Sequence, residues 1–416
     1  MISKSLETVN HVIHTKKIMA NVQKEWLKKA ISEGHIKYFE YNKFTDSKVI
    51  GVGGFGKVLK YEWKDCELTV ALKYLIKEDT SVDEKTIKDF INELKLLQSV
   101  SSHPNVIAFY GVTEDNNGYY NMVLQYANDG TLREYLETNF TKLQWTDKLC
   151  MAEGIALGLL FLHDDNIIHR DLHSKNILIH RKQPMITDFG LSKKINEVSM
   201  TSNSTVCGMP AYIEPQCFIN DGYKRDKRSD IYSFGQILWE ISSGRPPFSE
   251  SSEFIAILVR VLRGDREEPI EGTPSQYIEL YKKCWDNNPT NRPETRVILN
   301  NLKQLTSLQD NHTPGETFNQ NDPNKILNET ENSLVIKFYS NISVQDNSTL
   351  EDLRKEAHMY FRQCKFLKAL ELFEKILKNN QHSSDDRQSA STWDLSSYKC
   401  GQENLNELRY YTRTPC

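Results

Sequence analysis

The chain has 416 residues, of which 38% are hydrophobic and 26% charged, and it carries a formal net charge of −4. This length allows two or more domains, and the nearly balanced charge argues against a nucleic-acid-binding protein, which would need a strongly basic surface. The eight cysteines form no C-x-x-C pair, and the chain has neither an apolar leader nor a membrane-length apolar run, so we expect a cytoplasmic protein without zinc, disulfides, signal peptide or membrane span.

The first part of the chain, residues 1–45, is expected to be a helical extension. Apolar residues follow helical spacing in ANVQKEWLKKAISEGHIKYFEY, and Gly34 provides a stop signal. From residue 46 to about 120 the pattern predicts mostly strands, because KVIGVGGFGKVLKYEW, LTVALKYLI and GYYNMVLQYA are rich in β-branched and aromatic residues. One helix interrupts these strands, and Leu94 and Leu97 lie on its apolar face.

Helices dominate the region from about residue 130 to 305. The clearest are TDKLCMAEGIALGLLFLHDD and SDIYSFGQILWEISSG, the second with Ser229 as its expected N-cap and Gly244 as its stop. Residues 306–350 are rich in Asn, Thr, Gln and Asp, which predicts a linker, and residues 351–380 have a helical pattern again. The pattern therefore predicts a small β-rich lobe followed by a larger helical lobe.

The glycine-rich stretch GVGGFGKV indicates a phosphate-binding loop. Gly51, Gly53 and Gly56 allow backbone amides to approach phosphates closely. In a dinucleotide-binding fold this pattern would open a helix, whereas here Val58 to Trp63 continue as a strand. A strand-loop-strand flap over nucleotide phosphates is therefore favoured, with a simple glycine hairpin as the alternative for the motif taken alone.

Three charged residues downstream fit the same chemistry. Lys73, in VALK, lies on the next strand, where it can reach the α- and β-phosphates of a nucleotide. Glu93 lies on the following helix, where an ion pair would hold the Lys73 amine in place. Asp188, in TDFG, follows the predicted strand PMIT and is a candidate magnesium ligand at a strand end.

The order and spacing of these motifs, together with HRDLHSKN, SDIYSFG and NPTNRP, resemble the protein kinase superfamily over about residues 46–305. HRDLHSKN and WEISSGRPPF are most similar to the tyrosine-kinase-like group, and the combination with a repeat-like tail resembles expanded fungal kinase families. The resemblance implies an α+β, two-lobed protein kinase fold, with a small β-rich N-lobe, a larger helical C-lobe and a helical C-terminal extension.

The resemblance also implies roles for the polar turn in NIIHRDLHSKNILI. Asp171 would accept or orient the proton of the attacking hydroxyl, Asn176 would hold magnesium jointly with Asp188, and Arg170 would meet a phosphate on the activation segment. His169 would have a structural role under the loop. ATP and Mg²⁺ are the implied cofactors. The implied nucleotide-binding residues are Gly51, Gly53, Gly54, Phe55, Gly56, Val58, Ala71, Lys73, Gln125, Ala127, Asn176 and Asp188.

Three positions depart from the family pattern. Gln216 stands where kinases usually have a glutamate that pairs with an arginine, here Arg292. Gln216 can hydrogen-bond Arg292 but brings no charge. A fully buried arginine without its counter-ion would lower the stability of the protein by about 3–5 kcal/mol, unless Glu214 compensates. Met209 and His173 replace the Thr and Lys that support Ser/Thr substrates, which leaves the choice between Ser/Thr and Tyr acceptors open, with Ser/Thr favoured.

The activation segment, residues 188–216, is rich in hydroxyl side chains. With Arg170 present, phosphorylation of one of them would act as a switch; the alternative is a flexible polar loop. The candidate residues are Ser192, Ser199, Thr201, Ser202, Ser204 and Thr205.

The tail segment EAHMYFRQCKFLKALELFEKIL, within residues 351–380, resembles one TPR-like hairpin. Ala357, Tyr360, Ala369 and Phe373 have TPR-like spacing, which includes the A-x3-F of the second helix. One repeat cannot bury its apolar face alone, so we expect either a partner-docking remnant of an array or a lone hairpin, followed by a poorly ordered tail over residues 381–416.

The sequence predicts an active protein kinase acting on protein substrates in intracellular signalling. The alternatives are a pseudokinase acting as a nucleotide-gated scaffold and an adaptor that uses the C-terminal hairpin.

Overall fold

The computed structural model describes residues 25–53, 56–74, 84–195, 208–220, 222–250 and 254–310, and seven further positions between 353 and 372. The chain divides into two units, and Asp310–Ser397 form the second. The first unit has the predicted α+β architecture, a β-rich lobe followed by a helical lobe. Within these described ranges, no helix is both long and apolar enough to cross a bilayer.

The N-terminal lobe is built on one six-stranded sheet in the order β1-β5-β6-β4-β3-β2. Neighbouring strands run antiparallel, except that β1 and β5 are parallel. The strands are β1 (Tyr38–Phe39), β2 (Phe44–Gly53), β3 (Gly56–Trp63), β4 (Leu68–Tyr74), β5 (Phe109–Glu114) and β6 (Tyr120–Gln125). Helix α1, residues 25–32, precedes them, and helix α2 (Glu84–Val100) lies between β4 and β5.

Alternation along the strands gives the sheet two apolar faces. On β4, Ala71 belongs to the main core with α2, whereas Val70 and Leu72 belong to a second, aromatic-rich cluster with Tyr61 and Trp63. The predicted apolar face of α2 is buried, since Leu94 and Leu97 are at most 1% exposed. The predicted boundary between a helical extension and the sheet, at residue 46, falls inside β2.

The helical lobe is centred on two buried helices, α4 and α6. Its helices are α3 (Leu132–Asn139), α4 (Trp145–Asp164), α5 (Gln216–Ile219), α6 (Lys227–Ser243), α7 (Phe254–Arg263), α8 (Ser275–Cys284) and α9 (Thr295–Asp310). Its short strands are β7 (Ile167–Ile168), β8 (Ile177–His180), β9 (Gln183–Ile186) and β10 (Lys193–Lys194). The strands β8 and β9 pair antiparallel; the turn that holds Asp171 and Asn176 precedes β8, and Asp188 follows β9.

The cap of α6 differs from the prediction. Asp226, not Ser229, is the N-cap, and its side chain accepts a hydrogen bond from the Arg228 N–H at 2.8 Å. Ser229 lies inside the first turn, where its hydroxyl is bonded to Glu214 instead. The predicted stop is confirmed, because Gly244 adopts the left-handed conformation, at φ 73°, that favours glycine at a helix C-terminus.

In the second unit the described positions are helical, and Leu353 and Leu372 are buried. The Lys368 ammonium lies 5.5 Å from the centroid of the Tyr360 ring. Of the four residues with the predicted TPR-like spacing, only Tyr360 is described; Ala357, Ala369 and Phe373 lie outside the described residues.

Candidate active site

Three charged side chains from separate elements meet at the inner face of the sheet. Lys73 Nζ lies 2.6 Å from Glu93 Oε1 on α2 and 3.0 Å from Asp188 Oδ1 after β9. Lys73 is held by β4, which pairs with β3 at Val58 and with β6 at Met122. Because side chains alternate along a strand, Lys73 points to the face that α2 covers. The structure therefore contains the ion pair that the sequence predicted.

The electrostatics of this cluster favour the charged forms of Lys73 and Asp188, whereas burial raises the pKa of Glu93. Burial disfavours the Lys73 ammonium, but the carboxylates of Asp188 and Glu93 outweigh it and raise the pKa of Lys73. Burial likewise opposes ionisation of Asp188, but the Lys73 charge outweighs it and lowers the pKa of that carboxyl. A lysine and an aspartate that stay charged at neutral pH are suited to binding a phosphate and a divalent cation.

The polar turn between β7 and β8 holds the second half of the site. Asp171 is 7% exposed, and the Asn176 side-chain amide donates to its backbone oxygen at 2.9 Å and to its Oδ2 at 3.2 Å. Because the amide N–H groups face Asp171, the amide oxygen of Asn176 is the atom that can serve as a metal ligand. Arg170 and Asp188 both have left-handed backbones, at φ 70° and 64°, a strained conformation that is typical of functional loops.

Asp230, on α6, fixes the backbone of this turn, a role that we did not predict from the sequence. Its carboxylate accepts hydrogen bonds from the backbone N–H groups of His169 and Arg170, both at 2.8 Å. It also lies 3.1 Å from His163 Nε2. Burial opposes ionisation of Asp230, but the contact with His163 outweighs it and lowers the pKa of Asp230. The sequence feature that could have indicated this role is the presence of an aspartate inside the apolar run of α6.

His169 lies beneath the turn. Its Nε2 is 3.0 Å from the backbone oxygen of Thr187, and its ring meets Phe189 edge-on at 5.3 Å between centroids. Burial lowers the pKa of His169. These contacts join the turn to the segment that carries Asp188.

The residues expected to surround the nucleotide lie along β2, β3, β4 and the end of β6. Gly53 and Gly56 face each other across the β2-β3 ladder, whereas Gly54 and Phe55 lie outside the described residues. Ala71 and Ala127 are buried in the main core, against which Val58 packs. The Gln125 N–H is bonded to the Ala108 carbonyl at 2.9 Å, so the Gln125 carbonyl is its backbone group that can contact adenine.

The structure shows which carboxylate pairs with Arg292. Arg292 Nη1 lies 2.6 Å from Glu214 Oε2, and both side chains are 0% exposed. The other oxygen of Glu214 accepts from the Ser229 hydroxyl. Of the two possibilities that the sequence left open, the structure has Glu214 and not Gln216 against Arg292; the Gln216 side-chain oxygen accepts from Asn220 Nδ2 at 2.5 Å instead. Glu214 therefore supplies the charge that Gln216 lacks, two positions earlier in the chain.

A buried network connects the turn to α3 and α6. The Arg133 guanidinium contacts Glu240 Oε1 at 3.0 Å, the Ser174 hydroxyl at 3.1 Å and the Tyr212 hydroxyl at 2.6 Å. The Tyr212 hydroxyl in turn donates to the second oxygen of Glu240. We did not predict this network, because its members come from four separate segments and share no spacing.

His173, two residues after Asp171, is enclosed beside that network. It is 2% exposed, its Nε2 lies 3.7 Å from Asp171 Oδ1, and its ring meets Tyr212 edge-on at 5.9 Å. Neither ring nitrogen has a hydrogen-bond partner among the described residues. Burial lowers the pKa of His173 to about 3, with smaller contributions in the same direction from His169 and Arg133. The imidazole is therefore neutral and does not replace the charge of a lysine.

We expect the His173 imidazole to make the protein less stable in mild acid. The unfolded imidazole binds a proton near pH 6.5, whereas the folded one stays neutral down to about pH 3. Since the unfolded state binds more protons between these values, stability present above pH 6.5 falls as the pH falls, by about 2 kcal/mol at pH 5. Urea denaturation at pH 7 and pH 5 measures this change. A His173→Gln variant with the same loss as wild type would contradict the assignment.

Two parts of the activation segment can be described. Ser192, one of the six hydroxyl candidates, is 7% exposed and its hydroxyl donates to the His169 carbonyl at 3.1 Å, which makes it a poor phosphorylation site. The other five candidates, from Ser199 to Thr205, lie outside the described residues. Further along, a Cβ on Gly208 would lie 2.8 Å from Asp171 Oδ1, so the backbone there passes close to the Asp171 carboxylate.

Comparison with known proteins gives one consistent result. The chain matches the family described as protein tyrosine and serine/threonine kinase over residues 44–302. It is 35% identical over 268 residues to a probable serine/threonine-protein kinase of Dictyostelium discoideum, covering 64% of this chain and 25% of that protein. A probable LIM domain-containing serine/threonine-protein kinase of the same organism is 33% identical over 261 residues, with 62% and 26% covered.

A third relative, the dual specificity protein kinase shkA of Dictyostelium discoideum, is 31% identical over 270 residues, with 63% of this chain and 49% of the relative covered. The chain thus spans between a quarter and a half of the length of these three curated relatives. The similarity reaches from β2 to α9, the part of the chain that contains every residue of the site.

Proposed function

Since the chain belongs to the protein tyrosine and serine/threonine kinase family, we propose that it is an active protein kinase, which transfers the γ-phosphoryl group of ATP to protein hydroxyl groups. The observation that carries the proposal is that the Lys73 ammonium lies within 3.0 Å of both the Glu93 and the Asp188 carboxylates. These groups accompany a turn in which the Asn176 amide is hydrogen-bonded to Asp171. Phosphoryl transfer needs mainly positioning and charge neutralisation, and these residues supply both.

The residues present fit a magnesium ion. Mg²⁺ prefers oxygen ligands, and the Asp188 carboxylate and the Asn176 amide oxygen are the two groups that would hold it. When bound, the ion would neutralise the developing charge on the phosphate oxygens. Lys73 would bind the α- and β-phosphates, and Glu93, 2.6 Å away, keeps the ammonium in place. The backbone of the β2-β3 loop would cover the phosphates from above.

Asp171 would orient the acceptor hydroxyl and take up its proton. Its carboxylate is held by the Asn176 amide on one oxygen and lies near the His173 imidazole on the other. Since Asp230 also fixes the backbone at His169 and Arg170, the carboxylate is pre-organised before a substrate arrives. Such pre-organisation lowers the barrier because no groups need to reorganise during transfer.

We favour Ser/Thr acceptors, with Tyr as the alternative. Two of the relatives compared above carry serine/threonine kinase in their names, and the third is a dual specificity kinase. His173 and Met209 occupy the two positions that would distinguish the acceptor classes. Because the His173 imidazole is neutral and Met209 is apolar, neither side chain brings a charge that would favour one class of acceptor. Protein substrates follow from the family.

The test is a phosphorylation assay of the full chain on a peptide library with MgATP. We expect transfer to Ser/Thr peptides by wild type and a loss of at least about 10²-fold in Asp171→Asn, because the carboxylate that accepts the proton is neutralised. Equal signals from the two proteins would favour the rival interpretation, a pseudokinase acting as a nucleotide-gated scaffold.

The segment 351–380 is the basis of a second, independent proposal, that it is a helical hairpin that docks a protein partner. The helical positions and the buried Leu353 and Leu372 support a packed helical unit there. Deleting residues 351–416 should leave peptide phosphorylation unchanged and abolish partner capture; retained capture would refute it.

We also propose a cytoplasmic setting, because cysteines such as Cys66 and Cys284 are free thiols, as is usual in a reducing compartment.

A further inference from the structure

A segment ahead of the family match packs on the N-terminal lobe. Residues 25–39 form helix α1, a turn at Gly34 and strand β1, and we name this segment the brace. Leu27, Ala30 and Ile36 in the brace are at most 5% exposed and belong to the same apolar core as α2. The brace lies entirely before residue 44, where the match to the kinase family begins.

The brace contacts α2 on the side away from the active site. The Lys95 ammonium lies 4.3 Å from the centroid of the Trp26 ring, and Gln98 Nε2 donates to the His35 carbonyl at 2.5 Å. At 3.6 residues per turn, Lys95 and Gln98 are rotated about 200° and about 140° around the helix from Glu93. The contacts on the far side of α2 therefore leave Glu93 directed toward Lys73.

The other end of the brace is bonded to the sheet. Strand β1 pairs with β5 in parallel, with Tyr38 opposite Val112, and the Val112 N–H donates to the Lys37 carbonyl at 2.9 Å. The approach is close, because a Cβ on Gly111 would lie 2.3 Å from that same carbonyl oxygen. Since β5 pairs with β6 and β6 with β4, one short segment joins the helix of Glu93 to the sheet of Lys73.

We infer that the brace positions α2 for catalysis, with Trp26 and Leu27 as positioning residues that act through Glu93. The Lys73–Glu93 contact joins two elements, and its length depends on how far α2 lies from the sheet. The brace contacts both elements and so limits that separation. This inference rests on the proposed kinase function, because it assigns the brace a role in the same phosphate transfer.

The test compares the double variant Trp26→Ala/Leu27→Ala with wild type in the full chain. Loosening α2 should lower kcat for peptide phosphorylation by about tenfold and change KM for the peptide less than threefold, since the acceptor groups are on the other lobe. Hydrogen exchange should become faster in α2 while the exchange of α4 and α6 stays as in wild type. Trp26→Phe, which keeps an aromatic face for Lys95, should retain activity within twofold.

The matched control is Lys28→Ala, on the same helix, where the side chain is 61% exposed; it should leave kcat and exchange unchanged. A double variant with kcat within twofold of wild type would overturn the inference, as would exchange that rises equally in both lobes, because the brace would then be merely structural. If wild type transfers no phosphate to any peptide, the proposed function fails, and α2 exchange alone decides whether the brace holds the helix.

Discussion

Replacing Lys73 with Met is expected to lower kcat/KM for peptide phosphorylation by about 10²–10³-fold, equivalent to about 3–4 kcal/mol of transition-state stabilisation. The ammonium is a buried positive charge within 3.0 Å of both Glu93 and Asp188. Methionine has a similar length but no charge, so it cannot bind phosphate and leaves two carboxylates facing each other. Steady-state kinetics with varied ATP measure the loss.

The control is Lys60→Met, on the neighbouring strand, where the lysine is 32% exposed and pairs with Glu62. It should keep kcat/KM within twofold of wild type, since an exposed ion pair contributes little. Thermal melting of both variants separates a loss of folded protein from a loss of chemistry. If folded Lys73→Met protein transfers phosphate within threefold of wild type, the assigned role of Lys73 is wrong.

Replacing Glu214 with Gln is expected to destabilise the protein by about 3–5 kcal/mol, measured by urea denaturation. Its carboxylate is the buried partner of Arg292 at 2.6 Å and also accepts from the Ser229 hydroxyl. Removing one member of a fully buried ion pair leaves the other charge uncompensated, which costs far more than losing an exposed pair. The isosteric glutamine keeps the volume, so a cavity does not contribute to the loss.

Gln216→Ala is the matched control, because Gln216 stands at the position where the family has its glutamate. Its side chain bonds Asn220 and not Arg292, so we expect a change below about 1 kcal/mol. The opposite order of effects, with Gln216→Ala more destabilising than Glu214→Gln, would contradict the assignment of Glu214 as the counter-ion.

The sequence was sufficient for the parts of the site that depend on motif order. Lys73 on a strand, Glu93 inside the apolar face of the next helix and Asp188 after a later strand have fixed places in the family pattern, and their meeting follows from that pattern. The α+β division followed from the change in hydrophobic period near residue 130, since strand and helix periods differ.

The remaining features depend on choices that local patterns cannot make. Glu214 and Gln216 are two residues apart, and only packing decides which one reaches Arg292. Asp226 and Ser229 are both good caps, and Ser229 lost that role because its hydroxyl bonds Glu214. The parallel pairing of β1 with β5 joins segments about seventy residues apart in sequence, which hydrophobic periodicity does not report.

The central claim is that Asp171, Asn176 and Asp188 act together on one bound nucleotide, and single-turnover transfer tests it most directly. Wild type, Asp171→Asn and Asp188→Asn are each mixed with a small amount of labelled ATP, magnesium and excess peptide. We predict that wild type transfers the label, that Asp171→Asn binds the nucleotide but transfers it at least about 10²-fold more slowly, and that Asp188→Asn loses magnesium-dependent binding. Wild-type protein that binds no nucleotide, or that transfers phosphate no faster than Asp171→Asn, would contradict the claim.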